Sequence, residues 1–258
     1  EGMYLMAPSG RFYNYSNPNY MLAGLIAERL SGTSYRELMR TRVFEPLGMK
    51  RTFFLGDDVL KDGDYLLPLY HETGDDREAT ASSTCSYFMR YNPKTKVWSE
   101  TGRIKSAMGN LQAQVVQLTD TYLVAYIRRG GNFLPTDHGY TLRSESHDGG
   151  HTWSEAVATS FHNPNSAVDF IKLQNGHLLL VYNDNMNERT PLTVAVSVDN
   201  DKSYPYRRDI AGGDNTFAYP YAIQTRDEKI HIIYTTNERT TIMHAVFDEF
   251  AVIGRPAE

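Results

Sequence analysis

The hydrophobic pattern of the chain changes its period near residue 80. Along residues 1–80, apolar side chains recur at three- and four-residue spacing, which is the pattern of amphipathic helices. Residues 87–253 instead form short alternating runs separated by Gly, Asn and Asp turns, which is the pattern of strands. The acidic, turn-rich stretch 57–76 predicts a loop or linker. The pattern therefore predicts a small helical segment followed by a β-rich domain, with boundaries at 1–80 and 83–253.

Two helices are predicted in the first segment. Asn17 is a suitable N-cap, Pro18 suits the first helical position and Gly32 suits the end of the helix. Ser34 with Glu37 three residues later forms a capping box, which predicts the start of a second helix. The apolar residues of the first helix share one face: Leu22, Leu25, Ile26 and Leu30.

The second segment repeats itself. Three strand–turn–strand units end at Tyr126, Tyr182 and Tyr234, which are 56 and 52 residues apart, and each unit is followed by a further strand. A period near 50 residues built from four short strands is typical of a β-propeller blade. Residues 87–253 are thus predicted to form propeller blades.

A turn motif marks the same repeat. Residues Ser146 to Trp153 read S-x-D-x-G-x-T-W, the Asp box, a turn in which Ser and Asp side chains bind backbone amides and Gly takes a left-handed conformation. A degenerate copy spans Ser197 to Tyr204, and a more eroded one spans Asn92 to Trp98. We expect these turns between the third and fourth strands of their blades, where they are structural.

Composition excludes several classes of function. The net charge of −5 and the lack of Lys/Arg runs give no basis for nucleic-acid binding. No apolar stretch is long enough to span a membrane and no signal-peptide pattern occurs, so a soluble chain is expected. Cys85 is a single cysteine, which excludes an intrachain disulfide. The histidines lack metal-ligand spacing, so no metal and no cofactor are expected.

Arginines recur at one position of successive blades. Arg128 and Arg129 follow the first repeat, while Arg189 and Arg239 lie in two copies of Asn-Glu-Arg-Thr, 50 residues apart. The loops between second and third strands lie on one face of a propeller, so these side chains are predicted to converge. Converging guanidinium groups suit a carboxylate ligand. The alternative is that they form salt bridges with acids such as Glu188.

The β-rich segment resembles the BNR/Asp-box sialidase-like family (predicted neuraminidases). The resemblance covers about Ser83 to Val252 and includes YFMRYNPKTKVWSETG, NPNSAVDFIKLQNGHLLLVYND and FAYPYAIQTRDEKIHIIYTTNERTTIMHAVFDE. It implies a six-bladed propeller, of which this chain matches the C-terminal half. The fold class is therefore mostly β, a partial propeller of three to four blades after a helical segment.

The resemblance also suggests catalytic residues. Tyr219 in FAYPYAI corresponds to the nucleophilic tyrosine of sialidases, which needs a carboxylate as its base. Glu188 and Asp169 are the candidate carboxylates. The alternative is that Tyr219 packs a sheet and that Asp169 is a turn residue.

Residues 1–80 resemble a different family, the serine β-lactamase-like and penicillin-binding proteins. The matching stretch is FYNYSNPNYMLAGLIAERLSGTSYRELMRTRVFEPLGMKRTFF, in which Tyr15-Ser16-Asn17 matches the Y-x-N motif. The Ser-x-x-Lys motif of that family does not occur nearby. The whole chain is therefore predicted to be a mosaic or chimera.

Three functions follow from these patterns. The first is a sialidase-like glycoside hydrolase, or its remnant, that binds an anionic sugar of the sialic acid type through the arginines. The second is a non-catalytic half-propeller that completes itself as a homodimer through its open edges. The third is a β-lactamase-like serine esterase.

Overall fold

The computed structural model describes residues 17–46, 65–72, 81–92 and 94–254. The chain divides into two compact units, Glu1–Asp62 and Gly63–Glu258. Most of the described residues belong to the second unit and form antiparallel sheets. The prediction of a mostly β fold after a short helical segment is confirmed.

The first unit contains the predicted helices. Helix α1 spans Asn17–Ser31 and is followed by Gly32, whose φ of +67° is the left-handed conformation of a helix end. Helix α2 spans Tyr35–Met39, and the Ser34 hydroxyl accepts a hydrogen bond from the Glu37 amide at 3.2 Å. A single π-helical turn, Arg40–Phe44, follows directly. Gly32 and Ser34 therefore lie at helix ends as the sequence predicts, whereas Asn17, the predicted N-cap, is the first residue of α1.

The second unit holds fourteen strands and one short helix among its described residues. In chain order they are β1 Tyr65–His71, β2 Cys85–Asn92, β3 Val97–Glu100, β4 Asn110–Gln117, β5 Leu123–Arg129, β6 Tyr140–Ser146, β7 Val157–His162, β8 Asp169–Lys172, β9 Leu178–Asn183, β10 Leu192–Ser197, β11 Tyr206–Ala211, β12 Ala218–Gln224, β13 Ile230–Thr236, β14 Thr241–Phe247 and α3 Phe250–Ile253.

These strands form four separate antiparallel sheets. Their orders are β1-β2-β3, β4-β5-β6-β7, β8-β9-β10-β11 and β12-β13-β14, so each sheet is a meander of consecutive strands. The first strands of neighbouring sheets, β4, β8 and β12, lie next to one another. This is the arrangement of propeller blades around an axis. The prediction of a partial propeller is confirmed.

Strand β1 lies inside the stretch that the sequence predicted as a loop or linker. Residues Tyr65–His71 pair with β2 in a continuous register from Tyr65 opposite Tyr91 to His71 opposite Cys85. Leu66 packs against Phe88 and its apolar neighbours, because its side of the strand faces the second sheet. Pairing and burial thus outweigh the acidic flanks and Pro68, which reads as a strand breaker.

Hydrophobic cores fill the spaces between adjacent sheets. The strands β5, β9 and β10 are buried along their whole lengths, as expected for strands covered on both faces. The three repeat tyrosines, Tyr126, Tyr182 and Tyr234, lie in equivalent second strands and are all buried. The cores therefore pack each sheet against the next. Each period of the sequence repeat corresponds to one sheet.

The Asp box forms the turn that the sequence predicts. It connects β6 to β7, and Asp148 accepts hydrogen bonds from the amides of His151 and Thr152, both at 2.9 Å. The Ser146 hydroxyl accepts one from the Gly150 amide at 2.9 Å, with Gly150 at a φ of +87°. In the degenerate copy between β10 and β11, Asp199 and Ser197 repeat these bonds.

The degenerate box also ties two sheets together. Asp201 occupies its turn, and its carboxylate accepts hydrogen bonds from the hydroxyls of Tyr126 (2.9 Å) and Tyr204 (2.6 Å). The same carboxylate pairs with Arg143 Nε at 2.9 Å, and only 2% of the Asp201 side chain is exposed. Tyr126 and Arg143 belong to the second sheet, so this carboxylate joins the second and third sheets.

Candidate functional site

The predicted arginines lie at the sheet end opposite the Asp boxes. Leu123 at the start of β5 pairs with Ser146 of the Asp box, whereas Arg128 and Arg129 form the other end of β5. Arg189 lies between β9 and β10, and Arg239 lies between β13 and β14, at the corresponding ends of their sheets. The second and third strands of all three sheets therefore present arginine at the same end.

Arg128 is fully buried and is oriented by two side-chain amides. Its Nε donates to Asn165 Oδ1 at 2.7 Å, and its Nη1 donates to Gln112 Oε1 at 2.8 Å. Gln112 lies on the first strand of the same sheet, and Asn165 lies in the segment entering the next one. The guanidinium is thus fixed between two adjacent blades.

Arg129 is held by main-chain carbonyls. Its Nε donates to the Asn163 carbonyl at 2.8 Å, and its Nη1 donates to the Gly130 carbonyl at 3.1 Å, with the Asn132 carbonyl at 3.5 Å. The side chain is buried, and burial lowers the pKa of Arg129, an effect to which the charge of Arg128 adds. These contacts fix the loop that follows β5.

Arg189 and Arg239 both approach the ring of Tyr219. The guanidinium carbon of Arg189 lies 5.8 Å from the ring centroid, and that of Arg239 lies 5.1 Å from it, within cation–π range. Burial lowers the pKa of Arg189, and the charges of Arg128 and Arg239 lower it further. Three arginines from three successive sheets therefore share one electrostatic environment.

Three residues near the starts of the first strands have left-handed backbone conformations. The φ angles are +55° at Gln112, +58° at Asn165 and +53° at Tyr219. Gln112 and Tyr219 lie where the pairing registers of β4 and β12 shift, as in a β-bulge. Positive φ is unfavourable for a bulky side chain, and such strain clusters at functional sites. The second, third and fourth sheets thus each use a strained position to direct one side chain towards the arginines.

The two predicted carboxylates have separate surroundings. Asp169 opens β8 and is 2% exposed, and its carboxylate accepts a hydrogen bond from the Ala222 amide of β12. Burial raises the pKa of Asp169 to about 6, although backbone hydrogen bonds oppose this shift. Glu188 is exposed, and its amide donates to Asn185 Oδ1 at 3.0 Å. Asp169 therefore contacts β12, the strand that carries Tyr219. The contact is at Ala222, three residues after Tyr219.

The structure thus brings together Arg128, Arg189, Arg239 and Tyr219, and adds two residues that the sequence did not single out, Gln112 and Asn165. The only signal for them was weak: asparagine tolerates positive φ, but glutamine gives no such indication. Tyr15, predicted from the β-lactamase-like resemblance, lies outside the described residues.

The described residues contain neither a candidate metal centre nor a candidate membrane-spanning helix. Within the described ranges, no group of three or more His, Cys, Asp or Glu side chains is arranged to hold a metal ion. Over the same part of the chain, no helix combines the length and apolar character that crossing a membrane requires.

A family model described as BNR repeat-like domain matches residues 47–232. Among solved structures, a Hadza microbial sialidase is 19% identical, with a TM-score of 0.54 over 66% of this chain and 33% of that chain. The NanB sialidase from Streptococcus pneumoniae, in complex with 2-[(3-chlorobenzyl)ammonio]ethanesulfonate, is 16% identical, with a TM-score of 0.55 over 67% of this chain and 29% of that one.

The intramolecular trans-sialidase from Ruminococcus gnavus, in complex with oseltamivir carboxylate, gives a similar result. It is 20% identical, with a TM-score of 0.56 over 75% of this chain and 42% of that chain. The present chain therefore spans less than half the length of each of these three structures. The matched range 47–232 begins within the segment that resembles β-lactamase-like proteins, and that second resemblance stays a prediction.

Proposed function

The chain belongs to the BNR repeat-like domain family, and on that basis we propose that it forms part of a sialidase-like glycoside hydrolase that binds an anionic sugar at the arginine end of its sheets. The observation that carries this proposal is the convergence of Arg128, Arg189 and Arg239 around Tyr219 and Asn165. The similarity of the fold to sialidases also supports the proposal, although that similarity concerns the architecture alone.

Anion binding follows from the charges of the cluster. The pKa of Arg189 is lowered by burial and by two neighbouring arginines, so the cluster holds positive charges close together. A carboxylate placed between them relieves this repulsion and accepts charge-assisted hydrogen bonds. A sugar acid of the sialic acid type has such a carboxylate. Arg129, whose guanidinium donates to main-chain carbonyls, contributes by holding the neighbouring loop.

Tyr219 is the proposed nucleophile. Its hydroxyl oxygen attacks the anomeric carbon while a carboxylate takes the phenolic proton, and the glycosidic bond breaks so that the aglycone leaves with the bonding electron pair on its oxygen. Water then hydrolyses the bond between the sugar and the tyrosine oxygen, which releases the sugar and restores the phenol. Arg189 and Arg239 lie against its ring, at 5.8 Å and 5.1 Å from the ring centroid. Asp169 and Glu188 are the proposed proton acceptors, and Asp169 has the pKa of about 6 that suits proton transfer near neutrality.

Release of 4-methylumbelliferone from its sialoside tests the reaction, and calorimetry with N-acetylneuraminic acid tests binding. We expect Tyr219→Phe to abolish release while keeping affinity, and Arg239→Ala to weaken affinity. Arg226→Ala is the matched control, because Arg226 is exposed in the β12–β13 turn at the other end of the same sheet. If the unaltered chain neither releases 4-methylumbelliferone nor binds N-acetylneuraminic acid, the proposal is contradicted.

A second candidate function is self-assembly. The outer face of the β12–β14 sheet exposes apolar side chains, with 59% of Tyr221, 51% of Ile223 and 73% of Ile242 accessible. Such a face suits an interface with a second copy of the chain. Light scattering should then give a dimer that Ile223→Lys dissociates. A monomer at every concentration tested would rule this out.

A further inference from the structure

We infer that Asn165 is a positioning residue that sets the two central arginines, Arg128 and Arg189, in the orientation needed to bind one carboxylate. This inference rests on the proposed function of the arginine cluster. Asn165 itself need not touch the ligand, because it acts through the two guanidinium groups.

The hydrogen bonds of Asn165 reach three separate elements. Its side-chain oxygen accepts from Arg128 Nε at 2.7 Å, and its main-chain carbonyl accepts from Arg189 Nη2 at 3.1 Å. Its side-chain nitrogen donates to the Gly131 carbonyl at 3.1 Å. One fully buried residue therefore connects an arginine of the second sheet, an arginine of the third and the loop after β5.

The backbone conformation makes these bonds possible. Asn165 has a φ of +58°, a left-handed conformation that asparagine adopts more readily than most side chains. The conformation lets the side-chain amide face Arg128 while the main-chain carbonyl faces Arg189. Gln112 provides a second amide oxygen, which accepts from Arg128 Nη1 at 2.8 Å. Arg128 is thus fixed in a plane, as bidentate binding of a carboxylate requires.

Asn165→Gly is the informative variant. Glycine keeps the left-handed backbone and the main-chain carbonyl, but it removes both side-chain hydrogen bonds. A hydrogen bond to a charged group supports an expected loss of about 10- to 100-fold in affinity for N-acetylneuraminic acid. Asn200→Gly is the matched control, since Asn200 has a φ of +59° in the degenerate Asp box at the other end of its sheet. It should leave the affinity within about twofold.

Asn165→Asp separates orientation from charge. The carboxylate still accepts from Arg128 Nε, but it offsets one positive charge of the cluster and repels an anionic ligand. We expect slow hydrogen exchange of the Arg128 Nε–H, measured by NMR, in the unaltered chain and in Asn165→Asp. Exchange should be fast in Asn165→Gly, and both variants should bind the sugar acid weakly.

Each outcome decides the inference. Sugar-acid affinity of Asn165→Gly within about twofold of the unaltered chain would overturn it. If the unaltered chain does not bind the sugar acid, the proposed function fails, and the exchange measurement still tests Asn165. Unchanged exchange of the Arg128 Nε–H in Asn165→Gly overturns the positioning role, and faster exchange supports it.

Discussion

Asp169 gives the sharpest prediction about pH. Its carboxyl group is 2% exposed, and burial raises its pKa from an ordinary value of 3.8 to about 6. The folded state therefore binds a proton more tightly than the unfolded state does. By linkage, this stabilising contribution is fully present below about pH 4 and is lost as pH rises through about 6. The ionised carboxylate is thus a cost to stability at neutral pH.

Asp169→Asn removes this cost while keeping the hydrogen bond. The asparagine oxygen can accept from the Ala222 amide as the carboxylate does. The difference between 3.8 and about 6 corresponds to about 3 kcal/mol, at 1.36 kcal/mol per pKa unit. We therefore expect the free energy of unfolding of the variant to exceed that of the unaltered chain by up to about 3 kcal/mol near pH 8.

Urea unfolding at a series of pH values measures this difference. The gap between the two proteins should be small near pH 4 and should open through about pH 6. A gap that does not change with pH, or a less stable variant near pH 8, would refute the reasoning.

Asp199→Asn provides a control of opposite sign. The Ser203 hydroxyl, the largest cause, lowers the pKa of Asp199 to about 2. The contribution of this ionised carboxylate is therefore present above about pH 4 and is lost as pH falls through about 2.

Two further predictions concern the Asp-box end of the sheets. Asp201→Asn removes the charge that pairs with Arg143 in a nearly buried site, so thermal denaturation should show a loss of about 2–3 kcal/mol. An unchanged melting temperature would mean that the bridge between the sheets contributes little. Asp148→Ala removes the acceptor of two turn amides and should cost about 2 kcal/mol. Its sugar-acid affinity should stay the same, and a parallel loss of affinity would argue that the two ends of the sheet are coupled.

The repeat made the fold predictable. Tyr126, Tyr182 and Tyr234 occupy the same place in successive sheets because one strand–turn–strand unit must fill the same space in each blade. The Asp box was equally informative, since its hydrogen bonds lie within a few residues. Strand β1 was missed because Pro68 and the acidic, turn-rich residues around it obscure the strand pattern.

The site was predictable only in part. The recurrence of arginine indicated which loops face the site, but it could not show that Arg129 is bound by main-chain carbonyls. The surroundings of Asp169 depend on a hydrogen bond from the Ala222 amide, and Ala222 lies 53 positions away in the sequence. Gln112 gave no signal, because its left-handed backbone is imposed by the bulge in β4 and not by its own preference.

The meander order of the four sheets has a consequence for how the chain folds. Among the described residues, every ladder joins strands that are consecutive in the chain, so each sheet needs only short loops to close. Contacts between sheets join longer stretches and carry the larger entropic cost. A ribosome-bound chain can therefore complete one sheet before the next has been synthesised, with docking of finished sheets as the slower step.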